Sequence, residues 1–186
     1  KEVAPPTVKK EFTLLRRIFN VAIDEWEYFD TNPVTKVMKS LPGDNKRVRY
    51  LSAEEVQQLR FALPRWLAPI VLVASQTGLR RSNVVLLTKE QIDFGSNLIV
   101  IPHTKNDEPV AIPLTSAVRS TIQQLIQNRK MVSPYVFCDD HGKPYSLYKV
   151  SVAFKRACKR AGIENLRFHD LRHHFASTLV QNGVDL

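Results

Sequence analysis

One run of this chain carries no charged side chain on any face. Between Trp66 and Gln76 the sequence is almost wholly apolar, with Pro64 before it and Gly78 after it. Those two residues are a helix stop and a helix end, so the run reads as a helix that is hydrophobic nearly all round. Such a helix is stable only when other segments surround it. It is too short to cross a bilayer, which takes roughly 20 apolar residues, and Pro69 interrupts it. It therefore reads as a core helix.

The segments around it show helical spacing. Pro5-Pro6-Thr7 reads as a stop followed by an N-cap. Val8, Phe12, Leu15, Phe19, Ala22 and Trp26 then recur at gaps of four and three, a long amphipathic helix ending before Asn32-Pro33. That helix and its tail, to about Lys39, cannot bury the stripe alone. Leu41 to Arg47 reads as a linker of turn formers and charge. Ser52-Ala53-Glu54-Glu55 is a capping box and opens a second unit, whose first helix runs to Leu63. After the core helix comes a short helix from Leu79 to Leu87. Asn97 to Ile101 and Pro109 to Pro113 read as two strands of a hairpin whose polar tip is His103 to Glu108. Thr115 caps a helix with Val118, Ile122, Leu125 and Ile126. Ser146 caps another, ending at Gly162, with Val150, Phe154, Ala157 and Ala161 inward. A last helix spans about Phe168 to Asn182, with Gly183 as its stop. The fold class expected is mainly α with one small antiparallel β-sheet.

With 27 Lys and Arg against 18 Asp and Glu, the 186 residues carry a formal charge of +9. Such a balance favours a polyanionic partner, nucleic acid first, the ordinary alternative being a merely soluble basic protein. Cys138 and Cys158 have no metal-ligand spacing and fit a reducing, intracellular setting. No signal peptide is visible, and the chain begins at Lys1 rather than Met, as an excised piece of a longer protein would.

Three places carry candidate chemistry. His169 and Arg172 lie three apart at the start of the last helix, on one face. A permanently charged guanidinium beside an imidazole that titrates near neutrality suits a phosphate in its transition state. Thr77-Gly78-Leu79-Arg80 ends the core helix on a glycine that can turn Arg80 inward, and no acid follows Arg80 until Glu90. Lys105 stands at the hairpin tip, where a flexible ammonium can reach a phosphate or give a proton to a leaving oxygen. Taken singly, each has an ordinary alternative as a solvated surface group. His169 and His173 are four apart, but the Glu of a zinc-protease helix is absent, so no metal is expected. Lys155, Arg156, Lys159, Arg160 and Arg167 form a basic patch ahead of the last helix, either a solvated face or a contact for backbone phosphates.

In their order, Thr77-Gly78-Leu79-Arg80, Thr104-Lys105 and His169-Asp170-Leu171-Arg172-His173 resemble the tyrosine recombinase family, the phage-type integrases. Asn182-Gly183-Val184-Asp185 is similar to the turn after that helix in the family. Leu15 to Asn20 with Asn32-Pro33 resemble the close of its helical core-binding domain, and Leu51 to Glu55 the entry to its catalytic domain. The resemblance implies a core-binding portion over 1–43 and a catalytic domain of the tyrosine-recombinase type over 47–186. It implies phosphoryl transfer without metal or cofactor: Arg80 and Arg172 clamp the scissile phosphate, Lys105 protonates the departing 5′ oxygen, His169 hydrogen-bonds the phosphate and His173 supports it. A tyrosine forming a 3′-phosphotyrosyl link is also implied, some tens of residues after His-x-x-Arg. Tyr28, Tyr50, Tyr135, Tyr145 and Tyr148 all precede His169, so no nucleophile is assigned here, and the chain as given is expected to bind DNA without cutting it. Asn83 stands where the family often has Glu, which removes a charged partner for Arg80. The partners implied are double-stranded DNA and, in the full-length parent, a homotetramer on DNA, in a bacterial or phage-encoded cytoplasmic protein that moves a mobile element. The alternative is a non-catalytic DNA-binding or regulatory module that keeps the fold.

Overall fold

The computed structural model describes residues 3, 5–41, 49–102, 109–129 and 131–184. The chain divides into two compact units, Lys1–Arg47 and Val48–Leu186.

In the first unit, α1 (Pro5–Asp24) and α2 (Val34–Ser40) pack together. Pro5 and Pro6 lie inside the first turn of α1, not before it. A first-turn N–H has no partner within its own helix, so proline costs nothing there. α1 also stops earlier than its stripe predicts. Glu27 takes a positive φ of 53°, and Trp26 leaves the helix to lie against Tyr28, ring centroids 5.9 Å apart. The side-chain amide of Asn32 donates to the Arg16 carbonyl at 2.8 Å, and its Oδ1 accepts the Val34 N–H at 3.0 Å. One residue thus fastens the return and starts α2, a helix the sequence reading leaves in a tail. Ala22 and Val34 are buried, while Leu14, Leu15 and Ile18 on α1 stay exposed.

The second unit holds α3 (Ala53–Ala62), α4 (Ala68–Thr77), α5 (Arg81–Val85), a three-stranded sheet, α6 (Ser116–Gln127), α7 (Leu147–Arg160) and α8 (Asp170–Gln181). The Ser52 capping box is present: its hydroxyl accepts the Glu55 N–H and the Glu55 carboxylate takes the Ser52 N–H. Arg49 adds a forked ion pair to the same carboxylate, with Nη1 to Oε2 at 2.9 Å. α4 is the core helix, with Ile70, Val71, Val73, Ala74 and Thr77 buried. Pro69 sits in its first turn and does not break it. α8, α6 and α5 all pack on α4, the cover that an apolar helix demands.

The sheet runs β1-β2-β3 antiparallel, with β1 (Ile92–Asp93), β2 (Leu98–Ile101) and β3 (Val110–Pro113). Ile99 pairs with both Ile92 and Ile112, and Ile101 with Val110. The two expected strands pair; the tip between them, His103 to Glu108, lies outside the described residues. β1 is an addition: two residues are too few to show a period, and only pairing with β2 defines them. Thr115 and Ser146 cap α6 and α7, accepting the N–H of Val118 and Lys149 at 3.2 and 3.1 Å. On α7, Val150, Phe154, Ala157 and Cys158 face the core, with Ala161 at its edge. Burial pushes the Cys158 thiol up to about 11, while Cys138 is partly exposed. Among the described residues, no helix is long and apolar enough to cross a membrane.

Candidate phosphate-binding site

Two turns build the candidate site. The first closes α4. Thr77 is buried, and its hydroxyl donates to the Val73 carbonyl at 2.6 Å. Gly78 then takes a left-handed φ of 61°, a conformation that costs glycine nothing and other residues about 1 kcal/mol or more. The chain turns, and Arg80 leaves it with extended backbone as the N-cap residue of α5.

The second turn opens α8. The structure starts this helix at Asp170, so His169 occupies the N-cap position and not the first turn. Asp170 is 6% exposed. Its carboxylate accepts the Arg167 N–H at 2.8 Å, and its own N–H returns to the Arg167 carbonyl at 2.9 Å. A carboxylate at a helix N-terminus also meets the positive end of the dipole. Phe168, next to His169, is buried edge-on against Phe154, centroids 5.3 Å apart. His169 is thus held from both sides while its own ring stays exposed. At the other end, the Gly183 N–H bonds to Val180 O at 3.0 Å and Gly183 takes φ 78°, the expected stop.

The two turns meet. Arg172 Nη1 donates to the Gly78 carbonyl at 2.6 Å. The His169 and His173 rings stand edge to face, centroids 5.4 Å apart. The His169 imidazole is held below its ordinary value, first by crowding from surrounding atoms and then by the charges of His173, Arg172 and Arg80, with Asp170 pulling the other way. The charges of Arg80, Arg172 and His173 thus all reach the His169 ring. Arg80 is half-buried; its carbonyl accepts the Val84 N–H at 3.1 Å, and among the described residues no hydrogen bond holds its guanidinium. Among the described residues, the Asn83 side chain makes one long contact, its Oδ1 accepting from the Ser82 hydroxyl at 3.4 Å. A half-buried guanidinium with no acid partner among the described residues has donors to offer an anion.

Lys105 lies outside the described residues. All five residues of the basic patch, Lys155, Arg156, Lys159, Arg160 and Arg167, are exposed, and Arg160 Nη2 also donates to the Ala62 carbonyl at 2.7 Å, closing the last turn of α3. Asp170 and Phe175 shape the site without having been singled out in the sequence. For Asp170 a first-turn acid was the available signal. Phe175 falls with Phe168, Leu171 and Leu179 on the apolar stripe of the last helix, a pattern that marks burial and gives no sign of a contact with Gly78. A cleft of about 540 Å³ between the start of α4 and the end of α6, walled by Trp66, Arg129 and Tyr145, includes none of Arg80, His169, Arg172 and His173.

The family model described as "Phage integrase family" matches residues 49–186. The chain belongs to the phage integrase family. It is 33% identical to the integrase of Salmonella phage P22 over all of its own length and 50% of that protein. With the shufflon-specific DNA recombinase of Escherichia coli it shares 30% identity, covering 98% of this chain and 46% of the relative. This integrase-family chain thus spans about half the length of the curated relatives it matches. Its fold is similar to that of the lambda integrase chain in a structure of the integrase tetramer bound to a Holliday junction, with TM-score 0.78 at 22% identity over 97% of this chain and 56% of the other.

Proposed function

We propose that this chain is the phosphate-gripping part of a site-specific DNA recombinase, with residues 1–43 closing a core-binding domain and 47–186 contributing to the catalytic one. The observation that carries the reading is the convergence of Arg80 with His169 and Arg172, two sequence-distant segments joined at the Gly78 carbonyl. In this reading the guanidinium groups of Arg80 and Arg172 bind the non-bridging oxygens of a scissile phosphate. Negative charge grows there in the transition state, so fixed cationic donors lower the barrier. His169, neutral at pH 7, hydrogen-bonds the phosphate and holds or passes a proton, and His173 supports its ring. Lys105 protonates the departing oxygen from the hairpin.

Double-stranded DNA is the proposed partner, held along its backbone by Lys155, Arg156, Lys159 and Arg167. The tetramer on a junction seen for lambda integrase supports the same assembly for the full-length parent. The nucleophile is not among this chain's tyrosines. A nicked suicide duplex tests the proposal: the chain is expected to retard the DNA in a native gel without forming a denaturant-resistant adduct. A covalent adduct, or no retardation at low salt, overturns it.

A further inference from the structure

Gly78 meets α8 twice. Its carbonyl accepts from Arg172 Nη1 at 2.6 Å. On its other face, a Cβ built at Gly78 would lie 2.4 Å from Phe175 Cδ1 and 3.0 Å from Cε1, so the Phe175 ring presses on the bare Cα. Arg172 and Phe175 are three apart and project from one side of α8. Phe175 is only half-buried, whereas Leu171, one turn earlier, is 1% exposed and belongs to the core. Phe175 is not among the buried core cluster, and its ring lies against the residue that turns the chain toward Arg80.

We propose that Phe175 is a positioning residue, a spacer whose ring thickness sets the separation between Arg80 and the His169–Arg172 pair. The inference rests on the phosphate-site reading above. Arg80 lies two residues beyond Gly78 and His169 six before Phe175, so the Gly78–Phe175 contact is the fulcrum between the two halves of the grip. Without the ring, α8 can close on the turn or lean away from it. In either case Arg172 keeps its charge but loses its alignment, and phosphate recognition by a planar fork depends on alignment.

The test uses the 186-residue chain and inorganic phosphate, read by isothermal titration and by the NMR titration of the His169 ring. Phe175→Ala is expected to weaken phosphate about tenfold, since misplacement on the order of an ångström is costly at such sites, and to return the His169 titration toward its ordinary value. Phe175→Leu restores bulk without a flat ring and is expected to fall between wild type and Phe175→Ala. Should Phe175→Ala not fold by circular dichroism, Phe175→Leu carries the comparison. Leu179→Ala, one turn farther along α8, controls for loss of stability alone. The proposal is overturned if a folded Phe175 variant binds phosphate and titrates His169 as wild type does, or if Leu179→Ala weakens phosphate as much at the same melting temperature. Arg80→Ala separates the two claims: wild-type affinity there sinks the phosphate site itself, whereas a loss there with none at Phe175 sinks only the spacer.

Discussion

Replacing Phe154 by alanine opens the floor beneath the candidate site. Phe154 is 1% exposed, and its ring meets Phe168, the residue before His169, at 5.3 Å and 70°. Truncating a buried phenylalanine costs about 3–5 kcal/mol of transfer and cavity energy. The edge-to-face pair supplies about 0.5–1.5 kcal/mol of that. A loss near 4 kcal/mol is a large part of the roughly 5–15 kcal/mol that holds a domain folded. For a unit the size of Val48–Leu186, each kcal/mol lowers Tm by about 3 °C, so a fall of about 12 °C is expected. Thermal melts by circular dichroism at 222 nm provide the measurement, with urea unfolding as a check that the m-value is unchanged. Phe154→Leu, which conserves most of the volume, is expected to lose about 1.5 kcal/mol or less. A drop under about 5 °C for Phe154→Ala would refute the reasoning, because the cavity would then have collapsed at little cost.

Other expectations concern charge and capping. Each of Lys155→Ala, Arg156→Ala, Lys159→Ala and Arg167→Ala should reduce the slope of log K against log salt for duplex DNA by about 1, uniformly across sequences, while Arg160→Ala should show mainly as a lower Tm because its guanidinium closes α3. His169 and His174 are both held below the ordinary histidine value, His174 by burial. Their protonation therefore favours the unfolded chain, and the stability they contribute is complete above about pH 6.5 and declines as pH falls toward their folded pKa values. Urea midpoints that rise on acidification across that window would contradict this. Ser52→Ala, which removes half of the capping box, should cost about 1 kcal/mol, read as a shift in the urea midpoint of the wild-type transition.

What the sequence disclosed was set by the range of the interaction involved. The Ser52, Thr115 and Ser146 caps close over three residues, and each is where its local pattern puts it. α4 was legible because no polar face competed. β1 was not, since two residues become a strand only by pairing with Leu98 and Ile99. The early end of α1 was hidden because Trp26 fits the helical period and then stacks on Tyr28 instead. At the site, residue types and order pointed to Arg80, His169 and Arg172, but their joint at the Gly78 carbonyl crosses most of the second unit. Arg160 shows the same limit from the other side: its place in a basic run gave no hint of a bond to a carbonyl 98 residues away.

The two thiols of the chain have a practical use. Only a thiolate attacks an electrophile, and Cys158, buried with its pKa raised to about 11, holds its proton at neutral pH. Cys138 is the accessible one, and it lines the cleft that also holds Trp66. A maleimide dye added at neutral pH therefore attaches at one position without any cysteine being engineered out. Because α4 begins beside that cleft and ends at Gly78, a dye at Cys138 watches the helix from the end opposite Arg80 and Arg172, reporting on the core of the second unit while leaving the proposed phosphate site untouched.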